Sequence, residues 1–323
     1  MALLEVEGLS VTLATARGPA RVLRDVSFKL EAGGTLGLIG ESGSGKSMTA
    51  LALLGLLPEG AAVSGSVRFK GAELTALDDT ALCALRGDRI GIVFQEPMSA
   101  LNPLHTIARQ IAEPMLLHEK ISAREAGGRA IALLERVGIP DAARRAQAYP
   151  HQLSGGQRQR VTIAMALACG PDLLIADEPT TALDVTVQGQ ILDLLAGLSE
   201  ERGMAMMLIS HDLGVIAENA EAMMVMYGGS IVESGPTDAL FRRLAHPYSR
   251  GLFAARPRLG GGRGARLAAM AGTVPDLADL PPGCAFANRC PLVIDACRAA
   301  FPALADVAPG HAARCIRAGE AVL

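Results

Sequence analysis

The chain has 323 residues, 50% of them hydrophobic, and a formal net charge of -3. That length exceeds one average domain and supplies ample material for a large buried core, so one large domain plus an appendage is expected. Aromatic residues make up only 3%, with no Trp and 3 Tyr, so neither stacking platforms nor a basic footprint is available for nucleic acid, which is excluded as a partner.

Acids at Glu5 and Glu7 stand where a secretory signal would carry basic residues, so no export is expected. Val6 to Leu13, Val26 to Leu30 and Val63 to Phe69 have strand-like β-branched content and predict a small, largely antiparallel sheet. Thr35 to Ile39 reads as a buried strand, followed by a glycine-rich turn and an apolar helix from Met48 to Leu57 that Pro58 closes. Further buried strands are expected at Ile90 to Phe94, Asp172 to Ala176, Met204 to Ile209 and Ala222 to Met226, alternating with helices as a doubly wound parallel sheet requires. Between Pro97 and Leu153 only helical patterns occur, including Arg124 to Val137 with Ala130, Leu133, Leu134 and Val137 at helical spacing, which predicts an inserted helical subdomain over about 97–165. After Pro236 the pattern loosens, and Gly260 to Gly264 reads as a linker before a cysteine-bearing tail. The longest uncharged apolar runs, Ser47 to Leu57 and Val161 to Pro171, fall short of the ~20 residues a membrane-spanning helix needs.

Gly40-Glu41-Ser42-Gly43-Ser44-Gly45-Lys46-Ser47 matches G-x-x-x-x-G-K-[ST]. Glycines let consecutive N–H groups face one anion, the following helix presents its positive end, Lys46 reaches the β and γ phosphates, and the Ser47 hydroxyl binds Mg²⁺. Many NTPase classes share this loop, so alone it says nucleotide; Met48 is taken with it as nucleotide-binding. Leu173 to Ala176 is an apolar run ending in Asp177 and Glu178. A buried parallel strand delivers such acids to a sheet edge, where Asp177 holds Mg²⁺ through water and Glu178 accepts the proton of the attacking water. Gln95, at the end of its strand, is a third candidate, for Mg²⁺ or the water.

Leu153-Ser154-Gly155-Gly156-Gln157 resembles the signature of ATP-binding-cassette (ABC) proteins. Ser154 and the N–H groups of Gly155 and Gly156 open a helix, Gln157 to Ala168, and so make a second anion site. The resemblance implies that signature and phosphate loop serve different ATP molecules, sandwiched between two cassettes. Ala182-Leu183-Asp184 resembles the loop that crosses this interface, and His211 the switch histidine that contacts the γ phosphate. Where the family has an aromatic near position 13 to stack on adenine, Leu13 stands here, which implies aliphatic contact with the base. Residues 1–235 thus resemble an ABC nucleotide-binding domain: a P-loop NTPase of the α/β class with a parallel core sheet, a small antiparallel sheet and the helical insert.

Phe94 to Pro103, His246-Pro247-Tyr248 and the tail Gly283 to Pro291 with Cys297 and Cys315 resemble the oligopeptide, dipeptide and nickel importer branch, 236–323 being its C-terminal extension. Cys284, Cys290, Cys297 and Cys315 are too widely spaced for paired C-x-x-C zinc sites, and four thiolates satisfy either zinc or a cubane. The branch implies a [4Fe-4S] cluster there, ahead of zinc. Cys83 and Cys169 read as packing residues. The resemblance further implies ATP hydrolysis driving peptide uptake, a second cassette that is a paralogue or a copy, two membrane permease subunits, an extracytoplasmic solute-binding protein, and a peripheral position on the cytoplasmic face of the cell membrane. Nickel or another small solute is the alternative cargo, and a soluble cassette acting in DNA repair or on ribosomes is the rival outside transport.

Overall fold

The computed structural model describes residues 2–181, 183–255 and 270–320. Its strands are β1 (Ala2–Thr15), β2 (Gly18–Glu31), β3 (Thr35–Ile39), β4 (Ala62–Phe69), β5 (Ala72–Glu73), β6 (Ile90–Val93), β7 (Leu173–Asp177), β8 (Ala205–Ser210), β9 (Ala222–Tyr227), β10 (Ser230–Pro236), β11 (Ala305–Ala308) and β12 (His311–Ala313). The chain divides into two compact units, one built mainly from Leu30–Thr35 and Ala76–Ile209, the other from Leu4–Lys29, Leu36–Thr75 and the chain from Ser210 onward.

In the first unit β6, β7 and β8 lie side by side in parallel, with Ile90 opposite Leu173 and Leu173 opposite Ala205. Every residue of β7 and β8 is buried, which is why both read as unbroken apolar runs and not as alternating ones. Between β6 and β7 the chain is helical. Ile107–His118 buries Ile107, Ile111 and Met115, and Ala123–Arg136 buries Ala126, Ala130, Leu133 and Leu134, one apolar stripe per helix. Ser122 caps the second of these by accepting the Glu125 N–H at 3.2 Å. Val137, expected as its last turn, is the buried C-cap residue.

The second unit holds the antiparallel sheet β2-β1-β4-β5 and a run β11-β12-β10-β9-β3. Within that run β3 and β9 are parallel, and the other pairs are antiparallel. Strands β10 to β12 have no counterpart in the sequence pattern. The reason for β10 lies in Glu233, a fully buried carboxylate in mid-strand. It accepts the Ala245 and His246 N–H groups at 2.6 and 3.0 Å and lies 2.7 Å from His311 Nε2, so a charged residue joins two later segments to the sheet. The expected linker Gly260 to Gly264 lies outside the described residues.

Candidate functional site

The phosphate loop belongs to the second unit, between β3 and the helix Lys46–Leu53, which starts two residues before the expected Met48. Gly40, Gly43 and Gly45 have φ of 159°, 78° and 107°, backbone that only glycine adopts without strain. A Cβ on Gly40 would stand 2.3 Å from the Met226 carbonyl oxygen, so the turn is also too tight for any other residue. Lys46, 6% exposed, donates from Nζ to the Gly40 and Glu41 carbonyls at 2.8 and 3.2 Å. The Ser44 hydroxyl is buried and has no hydrogen-bond partner among the described residues, while Ser47 is exposed and Met48 half-buried. A glycine-rich turn at a helix start with a buried ammonium fits a polyphosphate.

Distant residues hold this loop in place, and sequence reasoning missed them. The Glu41 N–H donates to the Tyr248 hydroxyl oxygen at 2.9 Å. The Glu41 carboxylate takes Arg289 through two hydrogen bonds, at 2.7 and 3.2 Å, a bidentate pair whose guanidinium is 6% exposed. Tyr227, Tyr248 and Phe286 pack around it with ring centroids 4.5 to 5.4 Å apart, and Arg289 lies 5.8 Å from the rings of Tyr227 and Phe286. A chain poor in aromatics thus gathers its fully buried ones beside its phosphate loop. Burial pushes the Tyr248 phenol above its ordinary range, so it stays neutral. His211, also in this unit, is exposed in the bend after β8.

In the first unit β7 ends at Asp177, 6% exposed, followed by Glu178. Glu178 has φ 48°, a left-handed conformation unusual for a residue with a side chain. Its N–H is held by the Ile209 carbonyl at 2.9 Å. Gln95 Nε2 and the Thr181 hydroxyl donate to Glu178 Oε2 at 3.1 and 2.9 Å. The sequence singled out Gln95 and Glu178 separately; the fold brings them into contact and adds Thr181. This arrangement holds the carboxylate in one orientation.

Ser154 opens the helix Gly155–Ala166 with a capping box: its Oγ accepts the Gln157 N–H at 3.3 Å, and Gln157 Oε1 accepts the Ser154 N–H at 3.1 Å. Ser154 and Gly155 are exposed. A Cβ on Gly156 would come within 2.8 Å of Val187, so helix packing demands that glycine. Asp184 caps the helix Val185–Arg202 by accepting the Val187 N–H at 2.9 Å. Ala182 lies outside the described residues.

Cys284, Cys290, Cys297 and Cys315 share one neighbourhood. The Cys284 N–H donates to the Cys297 carbonyl at 2.8 Å. Burial first, then the three neighbouring thiols, push the Cys284 thiol up to about 11, and burial raises Cys290 and Cys315 as well. Backbone N–H groups two residues on, at Phe286, Leu292 and Arg317, point at the sulfurs of Cys284, Cys290 and Cys315. Among the described residues, however, no three His, Cys, Asp or Glu side chains converge as they would around a single metal ion. Cys83, expected as a packing residue, is exposed at the end of the short helix Asp79–Cys83, and Cys169 is half-buried. Among the described residues no helix is long and apolar enough to cross a membrane.

The ABC transporter family model matches residues 23–181, and that of the oligopeptide/dipeptide transporter C-terminal region matches residues 232–297. A peptide import ATP-binding protein of Brucella abortus is 51% identical over 98% of this chain and 97% of its own length. The oligopeptide transport ATP-binding protein OppD of Mycobacterium bovis is 52% identical over 98% of this chain and 52% of its own length. An ATP-binding cassette solved as a dimer in a post-hydrolysis state with ADP and Pi is 31% identical, with a TM-score of 0.65 over 72% of this chain and 98% of that one.

Proposed function

This chain belongs to the ATP-binding subunits of ABC transporters, and from that premise we propose that it is the ATP-hydrolysing cassette of an importer of di- and oligopeptides. The observation that carries the reading is the pairing of two anion sites of different build: a glycine nest with a buried Lys46, and an exposed helix start at Ser154 to Gly156 whose own cap is complete. The relatives named for peptide import, matched over nearly the whole chain, supply the cargo class.

In this reading Gly40 to Ser47, with Met48, hold the phosphates of ATP, and Lys46 neutralises their charge. Ser47, Gln95 and Asp177 are the residues for Mg²⁺, which when bound offsets phosphate charge. Glu178 takes the proton of the water as its oxygen attacks the γ phosphorus and ADP leaves; Gln95 and Thr181 keep the carboxylate aimed. His211 contacts the γ phosphate, and Asp184 belongs to the loop that crosses the interface between the two cassettes. Ser154 to Gln157 serve the ATP of a second cassette, a paralogue or a copy, so dimer formation is part of the chemistry. Two permease subunits and, through them, an extracytoplasmic binding protein complete the assembly at the cytoplasmic face of the membrane. Leu104 and Leu117, 80% and 76% exposed in the helical region, support a docking role there. Replacing Glu178→Gln lowers steady-state ATPase activity of the reconstituted transporter by about 100-fold or more and leaves an ATP-bound dimer. Unchanged turnover would remove Glu178 from its role.

Cys284, Cys290, Cys297 and Cys315 fit a [4Fe-4S] cluster better than zinc. Support comes from the N–H groups aimed at three of the sulfurs. Such a cluster would act as a staple for a segment with little core of its own. Anaerobic purification should yield iron and sulfide in equal amounts; zinc alone, or no metal, sinks the assignment.

A further inference from the structure

Beside the phosphate loop the second unit contains a cavity of about 550 Å³ with two kinds of wall. One is the β1–β2 hairpin, including Ala20 and Val22; the other is the segment Val274–Ala278, from the far end of the sequence. Ser42 and Gly43 of the phosphate loop form part of its lining. Its size lies within the ~300–1,000 Å³ of small-ligand sites. Among the described residues that line it none is aromatic, and Leu13 is not one of them.

The far wall is fixed at both ends. Arg289, anchored on Glu41, also donates from Nε to the Ala271 carbonyl at 3.0 Å. Arg17, at the hairpin tip, pairs with Asp276 and, at 3.1 Å, with Asp279. Asp276 uses its other oxygen to accept the Ala278 N–H at 2.9 Å, which shapes the turn Leu277–Asp279. The Arg17 pairs are exposed, so they set position more than they add stability.

We propose that the segment Val274–Ala278 is a wall of the subsite for the base and ribose of ATP, so that the C-terminal extension binds nucleotide within its own chain. The inference rests on the phosphate-loop reading above. A nucleotide whose phosphates occupy the loop must extend its base past one edge of it, and the cavity begins at such an edge, Ser42 and Gly43. Val22 on one side and Val274, Pro275 and Leu277 on the other offer aliphatic faces to a flat heterocycle, in place of a single stacking ring. The extension thereby takes part in nucleotide selection.

Two measurements on the full chain test this. Photolabelling with 8-azido-ATP should place label on the tryptic peptide that ends at Arg289; label confined to other peptides overturns the proposal. In equilibrium binding, Leu277→Ala should weaken ATP about tenfold and leave tripolyphosphate, which has no base, unchanged. Equal weakening of both ligands, or of neither, overturns it. Failure of the unaltered chain to bind tripolyphosphate would instead bring down the phosphate-loop reading itself.

Discussion

The phosphate loop and the signature turn, the two proposed anion sites, are held by different means. The signature turn is closed by its own neighbours: Ser154 and Gln157 exchange two hydrogen bonds across three residues, and the turn stays exposed. The phosphate loop is held from outside by Tyr248 and Arg289, 207 and 248 positions from Glu41. In the proposed function the signature turn serves a second subunit, and a local cap keeps such a turn ready on the surface. A loop that cradles several phosphates with glycines gives up local stiffness, and remote contacts restore it.

Three substitutions probe this contrast, in order of expected effect on stability. Arg289→Ala leaves Glu41 without its bidentate partner and should destabilise the chain by about 2–3 kcal/mol, since both groups are largely shielded. Urea unfolding measures it, and a loss below about 0.5 kcal/mol, within the scatter of ordinary surface changes, would mean that the brace is ornamental. Ser154→Ala removes only the cap and should cost about 1 kcal/mol. Ser154→Asp keeps a capping oxygen and should unfold within a few tenths of a kcal/mol of the parent. In the assembled transporter it should nonetheless abolish ATPase activity, because it sets a negative charge where the proposed function puts the γ phosphate of the partner's ATP. Parent-like turnover by that aspartate variant would detach the signature turn from phosphate binding.

Much of the candidate site was legible because its parts are short and local. Glycines followed by Lys46-Ser47, an apolar run ending in Asp177 and Glu178, and Ser154 three residues before Gln157 each state a backbone geometry within a few positions. The helical region was legible for a similar reason, since Ala130, Leu133 and Leu134 repeat at the period of one helix face. Strand β10 was not, because its central residue is a buried carboxylate, and burial of Glu233 is affordable only with donors from Ala245, His246 and His311. Cys83 shows the opposite error: a small apolar residue type was expected inside and stands exposed.

The amino-acid order by itself determined the chemistry on offer: which residues can cradle phosphate, take a proton or cap a helix, since those abilities arise within one turn or one strand end. Only the tertiary structure decided what steadies and surrounds that chemistry. Arg289 looks like any arginine between two cysteines, and Val274–Ala278 like any loop, until packing sets one against Glu41 and the other beside Ser42 and Gly43. Those pairings depend on shape and burial across more than two hundred residues, which no periodicity along the chain can express.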